Sequence, residues 1–175
     1  MTPFAPTLTL AAWPRYTAPA LLLSSAAILG GAFAFEYVGG LAPCILCLWQ
    51  RWPHGCVIVL AALAFWVGQR SPKAEGGFLL ASGLVLWVGA AIAGYHVGVE
   101  QGWWPGPSAC GGGGLDPAAS AADLRAQLFA TPIVRCDEVP WALFGVSMAG
   151  YNLLASIGLG AMALYGGARR FIMSA

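Results

Sequence analysis

Charged side chains are scarce in this sequence, at 9% of its 175 residues, where soluble domains carry about 25%. A chain so poor in charge and 59% hydrophobic falls outside the ordinary soluble class. Its formal net charge of +1 offers a polyanion no attraction, so no nucleic acid is expected as a partner. Ligands for metal are lacking too. There are two histidines, His54 and His96, and neither has ligand spacing relative to a cysteine, so the second half of a zinc knuckle is missing and no metal is expected. Leu48 follows Cys47 where covalent haem attachment requires a histidine.

Apolar sequence is what the chain has in quantity. Four blocks, Thr17 to Phe35, Leu48 to Gly68, Phe78 to Val99 and Trp141 to Tyr165, each come near the roughly 20 residues that cross a hydrocarbon core. Arg51, Pro53 and His54 occupy the first turns of the second block, which read as interfacial. Small residues recur inside the blocks, as at Gly30-Gly31, Gly83, Gly94 and Gly145. They let helices approach closely where lipid gives no hydrophobic drive to associate. The expectation is an all-α, integral membrane four-helix bundle forming one domain over residues 1–175. Arg15, the first apolar run and Ala32-Phe33-Ala34 imitate a signal peptide. The run exceeds the roughly 7–15 residues of such a segment, so an uncleaved membrane helix is expected.

Basic residues set the orientation. Arg15, Arg70, Lys73, Arg169 and Arg170 fall on three segments of one side, which are expected to be cytoplasmic. The opposite side receives a short loop, about 36–47, and a long one, about 100–140. In the long loop Asp116 is a good N-cap, Pro117 suits the first helical position, and Ala118 to Ala130 is rich in helix formers. Too short and polar to span, this stretch reads as a short amphipathic helix on the membrane surface.

Four of the five cysteines fall on the outer side. Cys44 and Cys47 form a Cys-x-x-Cys pair at the entry to the second block, while Cys110 and Cys136 flank the amphipathic stretch. In an oxidising compartment these suggest two bridges, most economically Cys44–Cys47 and Cys110–Cys136. The second serves equally as a staple or a redox pair. The first closes almost no loop and stabilises little, which favours a redox role. If Cys47 begins a helix, the helix end favours its thiolate, and Arg51, four residues on, can share its face. Cys110 adjoins Gly111-Gly112-Gly113-Gly114 and is expected to be mobile. Cys56, among apolar neighbours, reads as buried packing.

Taken together, these residues resemble the DsbB family of bacterial inner-membrane disulfide-bond formation proteins. Cys44-Ile45-Leu46-Cys47 with Gln50-Arg51 is similar to the family's first redox pair and its arginine. Tyr95-His96 is similar to the end of its third helix, and Cys110 and Cys136 to its second pair. Cys136-Asp137-Glu138 through Trp141, Phe144-Gly145 and Met148 is similar to the entry into its fourth helix. The resemblance implies a protein-dithiol:quinone oxidoreductase facing the periplasm. It would reoxidise a DsbA-like thiol oxidase and pass the electrons to the membrane quinone pool, ubiquinone or menaquinone. It further implies catalytic roles for Cys44, Cys47, Cys110, Cys136 and Arg51, and quinone contacts at Cys47, Arg51, His96 and Met148. Arg51 also fits an interfacial anchor, and His96 a histidine that meets water at the helix end. The competing readings are a vitamin K epoxide reductase-like protein, whose Cys-x-x-Cys lies near a later helix, and a non-enzymatic membrane scaffold with stapled outer loops.

Overall fold

A cysteine sulfur starts the second helix. In the computed structural model, which describes residues 13–111, 120, 122 and 134–173, Cys44 Sγ accepts the backbone N–H of Cys47 at 3.3 Å. Helix α2 therefore runs Ile45–Gly68 rather than from Leu48, with the Cys-x-x-Cys pair wound into its first turn. Helix α1 spans Trp13–Tyr37, α3 Pro72–Glu100 and α4 Met148–Ile172. All four are long and apolar enough to cross a membrane.

The starts of the third and fourth helices also follow caps rather than hydropathy. Ser71 Oγ accepts the Ala74 N–H at 3.2 Å and Pro72 takes the first helical position, so α3 begins ahead of Phe78 and includes the polar Lys73 and Glu75. The fourth helix was expected from Trp141. It starts at Met148 because strands β1 (Ala142–Leu143) and β2 (Val146–Ser147) form a small antiparallel hairpin first. Its turn residues Phe144 and Gly145 both have positive φ, 51° and 77°, the geometry tight hairpin turns require. Ser147 then caps α4, accepting the Gly150 N–H at 3.1 Å. The amphipathic helix expected over Ala118 to Ala130 lies almost wholly outside the described residues.

The four helices pack as an all-α bundle in which α3 meets both α2 and α4 extensively. Ala18, Leu21, Val57, Ala61, Ala64, Leu79, Leu86 and Ala163 form its buried core. Small residues set the spacing where helices meet closely. Of the glycines singled out in the sequence only Gly83 is at such an approach, while Gly30, Gly31 and Gly145 have nothing within 4 Å of a would-be Cβ. A Cβ placed on Gly76 would lie 2.9 Å from the Gly167 carbonyl oxygen, and one on Gly167 would lie 2.9 Å from that of Gly76. The two backbones touch there. Beside them Glu75, itself buried, forms an ion pair with Arg170 that ties the start of α3 to the end of α4. At the other end Trp104 stacks on Tyr95 and donates from Nε1 to its carbonyl at 3.0 Å, pinning the chain that leaves α3. Cys56, expected inside, is exposed on α2. In a membrane bundle an apolar helix face can point outward to lipid, so apolar neighbours do not imply burial.

Candidate redox site

Cys44 and Cys47 are free, with sulfurs 3.0 Å apart; the bridge expected between them is not closed here. Cys44 is 4% exposed and Cys47 only partly buried. The helix-end stabilisation read for Cys47 falls on Cys44 instead, because it is the Cys44 side chain that caps α2. The hydrogen bond from the Cys47 side chain, then that from His96, hold the Cys44 thiol well below the usual range, against the opposing pull of burial.

The second pair is closed. Cys110 and Cys136 form a disulfide across 26 residues, and both sulfurs join Cys44, Leu46 and Val99 in one buried cluster. Cys110, expected on a mobile tether, is 7% exposed. A 3-10 turn at Ser108–Gly111, a Cys110 N–H bond to the Pro107 carbonyl at 2.8 Å and the disulfide hold it. Outside it Arg135 pairs with Asp137 and Glu138, and the Arg135 hydrogen bond keeps the Asp137 carboxyl below its ordinary range.

A cavity of about 780 Å³ opens beside the first pair. Its walls include Cys44, Cys47, Arg51, His96, Trp141 and Met148, so the fold gathers the residues singled out around the first pair. Arg51 bonds to Glu36 Oε2 at 2.5 Å and lies over the Phe33 ring, 4.9 Å from its centroid. His96 is not at a wet helix end but 3% exposed, with Nε2 3.6 Å from Cys44 Sγ and 3.9 Å from Glu100 Oε1.

Sequence reasoning passed over three further polar residues of this wall, Gln50, His54 and Asn152. His96 Nδ1 contacts Gln50 Nε2 at 2.8 Å, Gln50 Oε1 accepts from Asn152 Nδ2 at 2.7 Å, and Asn152 Oδ1 contacts His54 Nε2 at 2.8 Å. A signal was available, since polar side chains within membrane helices are costly and usually functional. Gln50 and His54 are four residues apart on α2, and Asn152 is the lone asparagine of the chain. Glu36 carried a similar signal at the end of an apolar block.

The fold also supplies the metal ligand missing from the sequence spacing, because ligand atoms of Cys44, Cys47 and His96 all lie within 4.8 Å of one another. Yet Gln50 donates to His96 Nδ1, which leaves the ring proton on Nε2, the atom facing the sulfurs. As held here, His96 donates a hydrogen bond there rather than ligating.

A four-span membrane bundle with two adjoining cysteine pairs at one end is thus defined by fold and site alone. The family model described as "Disulfide bond formation protein DsbB" matches residues 14–166, and the chain belongs to that family. It is 32% identical over 149 residues to "Disulfide bond formation protein B 2" of Pseudomonas entomophila, covering 82% of this chain and 84% of that one. Similar are "Disulfide bond formation protein B" of Hahella chejuensis, 33% identical over 155 residues and covering 85% and 90%, and that of Methylococcus capsulatus, 34% over 149 residues and covering 81% and 87%. No solved structure matches the chain. It is a multi-pass inner-membrane protein of disulfide bond formation.

Proposed function

We propose that this protein reoxidises a periplasmic DsbA-like dithiol oxidase by disulfide exchange and delivers the electrons to a membrane quinone. The observation that carries the reading is the shared buried cluster of Cys44 with the Cys110–Cys136 disulfide, beside a cavity of about 780 Å³ open to the first pair. Two redox pairs in contact can exchange a disulfide without a diffusing carrier.

The exchange balances as follows. A thiolate of the partner attacks Cys110, forming a mixed disulfide and releasing Cys136; the partner's second thiol then closes its own bridge and frees Cys110. Cys136 next attacks an oxidised Cys44–Cys47 bridge at Cys44, and Cys47 leaves as thiolate. Cys110 then displaces Cys44, which restores the Cys110–Cys136 disulfide and leaves Cys44 and Cys47 as a dithiol. A bound quinone would take up two electrons and two protons as Cys44 and Cys47 close their bridge.

The residues lining the cavity fit such a group. Cys47 is the less buried sulfur of the pair, and Arg51 offers guanidinium donors for negative charge developing on a carbonyl oxygen. His96 and Met148 complete the wall, one polar and one apolar. Basic flanks at Arg70, Lys73, Arg169 and Arg170 support a cytoplasmic position for the opposite end. The deciding experiment is turnover in reconstituted vesicles. Oxidation of a reduced thioredoxin-fold partner is expected to require added quinone and to stop in Cys47→Ser; oxidation that proceeds equally without quinone overturns the reading.

A further inference from the structure

The amides and histidines behind the sulfur pair form a chain whose polarity is anchored at one end. Gln50 Nε2 lies 3.2 Å from the Leu46 backbone oxygen, which can only accept, so that side-chain atom is a nitrogen. The same nitrogen meets His96 Nδ1 at 2.8 Å, and Nδ1 must therefore be the bare, accepting atom of the ring. Gln50 Oε1 then accepts from Asn152 Nδ2, which turns Asn152 Oδ1 toward His54 Nε2 at 2.8 Å and Ser156 Oγ at 3.4 Å. Ser156 donates there, and His54 does so in its Nε2–H form.

We propose that Asn152 is a positioning residue for the redox pair: through the Gln50 amide it helps lock His96 as its Nε2–H tautomer and so keeps a donor on the Cys44 sulfur. Moving the ring proton to Nδ1 would require the Gln50 amide to turn over. Its oxygen would then face the Leu46 carbonyl, and its nitrogen the Asn152 nitrogen. Turning Asn152 as well would not help, because His54 and Ser156 can adapt to its nitrogen while Gln50 Oε1 would still face the Leu46 carbonyl. Gln50, His54, His96 and Ser156 are 7%, 2%, 3% and 0% exposed. Asn152 is only partly buried and lines the cavity together with Gln50, His54 and His96, so the clash at the Leu46 carbonyl is the one that carries the lock.

The inference rests on the redox role of Cys44 and Cys47 and extends it. Closing their bridge removes two electrons, which pass to the quinone, and two protons, and it needs one sulfur as a thiolate nucleophile. Cys44, on the helix end and facing the His96 Nε2–H, is that sulfur. Among the described residues the titratable groups facing His96 are Cys44, the cap of α2, Cys47 from α2 and Glu100 from α3, and the Cys136 backbone also bonds to the ring. From α4 the Ser147 hydroxyl donates to Glu100, while on α1 Glu36 is engaged by Arg51.

The test uses the full chain with 15N-labelled histidine and the Cys44–Cys47 pair reduced. Nitrogen spectra separate protonated from bare ring nitrogens, and the chain has only two histidines to assign. His96 is expected to carry its proton on Nε2 with Nδ1 bare. Asn152→Asp, which presents only acceptors, is expected to reverse Gln50 and move the proton to Nδ1. Asn152→Leu is expected to mix the tautomers. In a Cys47→Ser background it is also expected to shift the pH profile of Cys44 alkylation upward by about one pH unit, a tenfold change in thiolate. Should the leucine variant fail to fold, the wild type and Asn152→Asp decide alone. A proton on Nδ1 in the wild type overturns the proposal, as does a tautomer that neither variant alters. The expected tautomers with no quinone-dependent turnover would support the lock and count only against the proposed function.

Discussion

Arg51 Nη1 meets Glu36 Oε2 at 2.5 Å, joining the last turn of α1 to the second turn of α2 at the wall of the cavity. The two side chains are only 16% and 21% exposed, so each charge relies on the other for part of its solvation. Glu36 engages one Nη1 and the Phe33 ring supports the guanidinium face. The guanidinium lines the cavity, where its fork can also meet an oxygen.

That geometry gives the first prediction. Arg51→Ala is expected to slow quinone reduction by about a hundredfold, comparable to loss of one preorganised donor, while thiol exchange at Cys110 continues. Arg51→Lys should recover part of the rate, because it keeps the charge and loses the planar fork. Glu36→Gln is expected to lower kcat/KM for quinone by about tenfold, since it leaves Arg51 charged but unheld. Stopped-flow quinone reduction over a range of quinone concentrations checks all three; a wild-type rate in Arg51→Ala would return Arg51 to the role of interfacial anchor.

The contact of Gly76 with Gly167 predicts a steric cost. A methyl at either position meets backbone of the facing helix at 2.9 Å, which cannot rotate away as a side chain could. Gly76→Ala and Gly167→Ala should each destabilise the bundle by about 1–3 kcal/mol, the range for overpacking. Gly30 has nothing within 4 Å of its would-be Cβ. Gly30→Ala should therefore be neutral or stabilising by roughly 0.5–1 kcal/mol. Thermal unfolding in detergent ranks the three.

How much of this could be read from the sequence depends on how local each signal is. The four spans and the two cysteine pairs were legible, because hydropathy over about 20 residues and cysteine spacing are local properties. The start of α2 was not, since Cys44 replaces the usual serine or aspartate as cap. The hairpin before α4 was hidden because Phe144-Gly145 sits within an apolar run, where periodicity gives no turn signal. Asn152 bonds to Gln50 across 102 residues and His96 reaches Cys44 across 52, so only folding could connect them. Cys110 failed as a mobile residue for a related reason, its partner in burial being Cys136, 26 residues away.

Topology follows from the basic flanks. Both termini are expected in the cytoplasm and both cysteine pairs in the periplasm. After mild reduction of cells with permeabilised outer membranes, an impermeant thiol reagent should label Cys110. Labelling that appears only once the inner membrane is broken would reverse the orientation.

The order of thiol exchange is the last expectation. Cys136 is 0% exposed and Cys110 is 7% exposed, so neither sulfur is freely presented and the loop must open before a partner reaches it. Cys110 is the better placed of the two for that opening. It lies on a single 3-10 turn of four residues, whereas Cys136 is fully enclosed against Cys44 and Leu46. Cys136→Ser leaves Cys110 as a lone thiol that can join the partner's oxidised pair, with no Cys136 to expel it, so a covalent complex should accumulate through Cys110. Its formation should be slower than exchange with an open thiol of similar pKa, because opening precedes attack, and mild denaturant should accelerate it before the bundle unfolds. Non-reducing gels over time measure both effects. A complex that forms through Cys136 and survives Cys110→Ser would exchange the two roles.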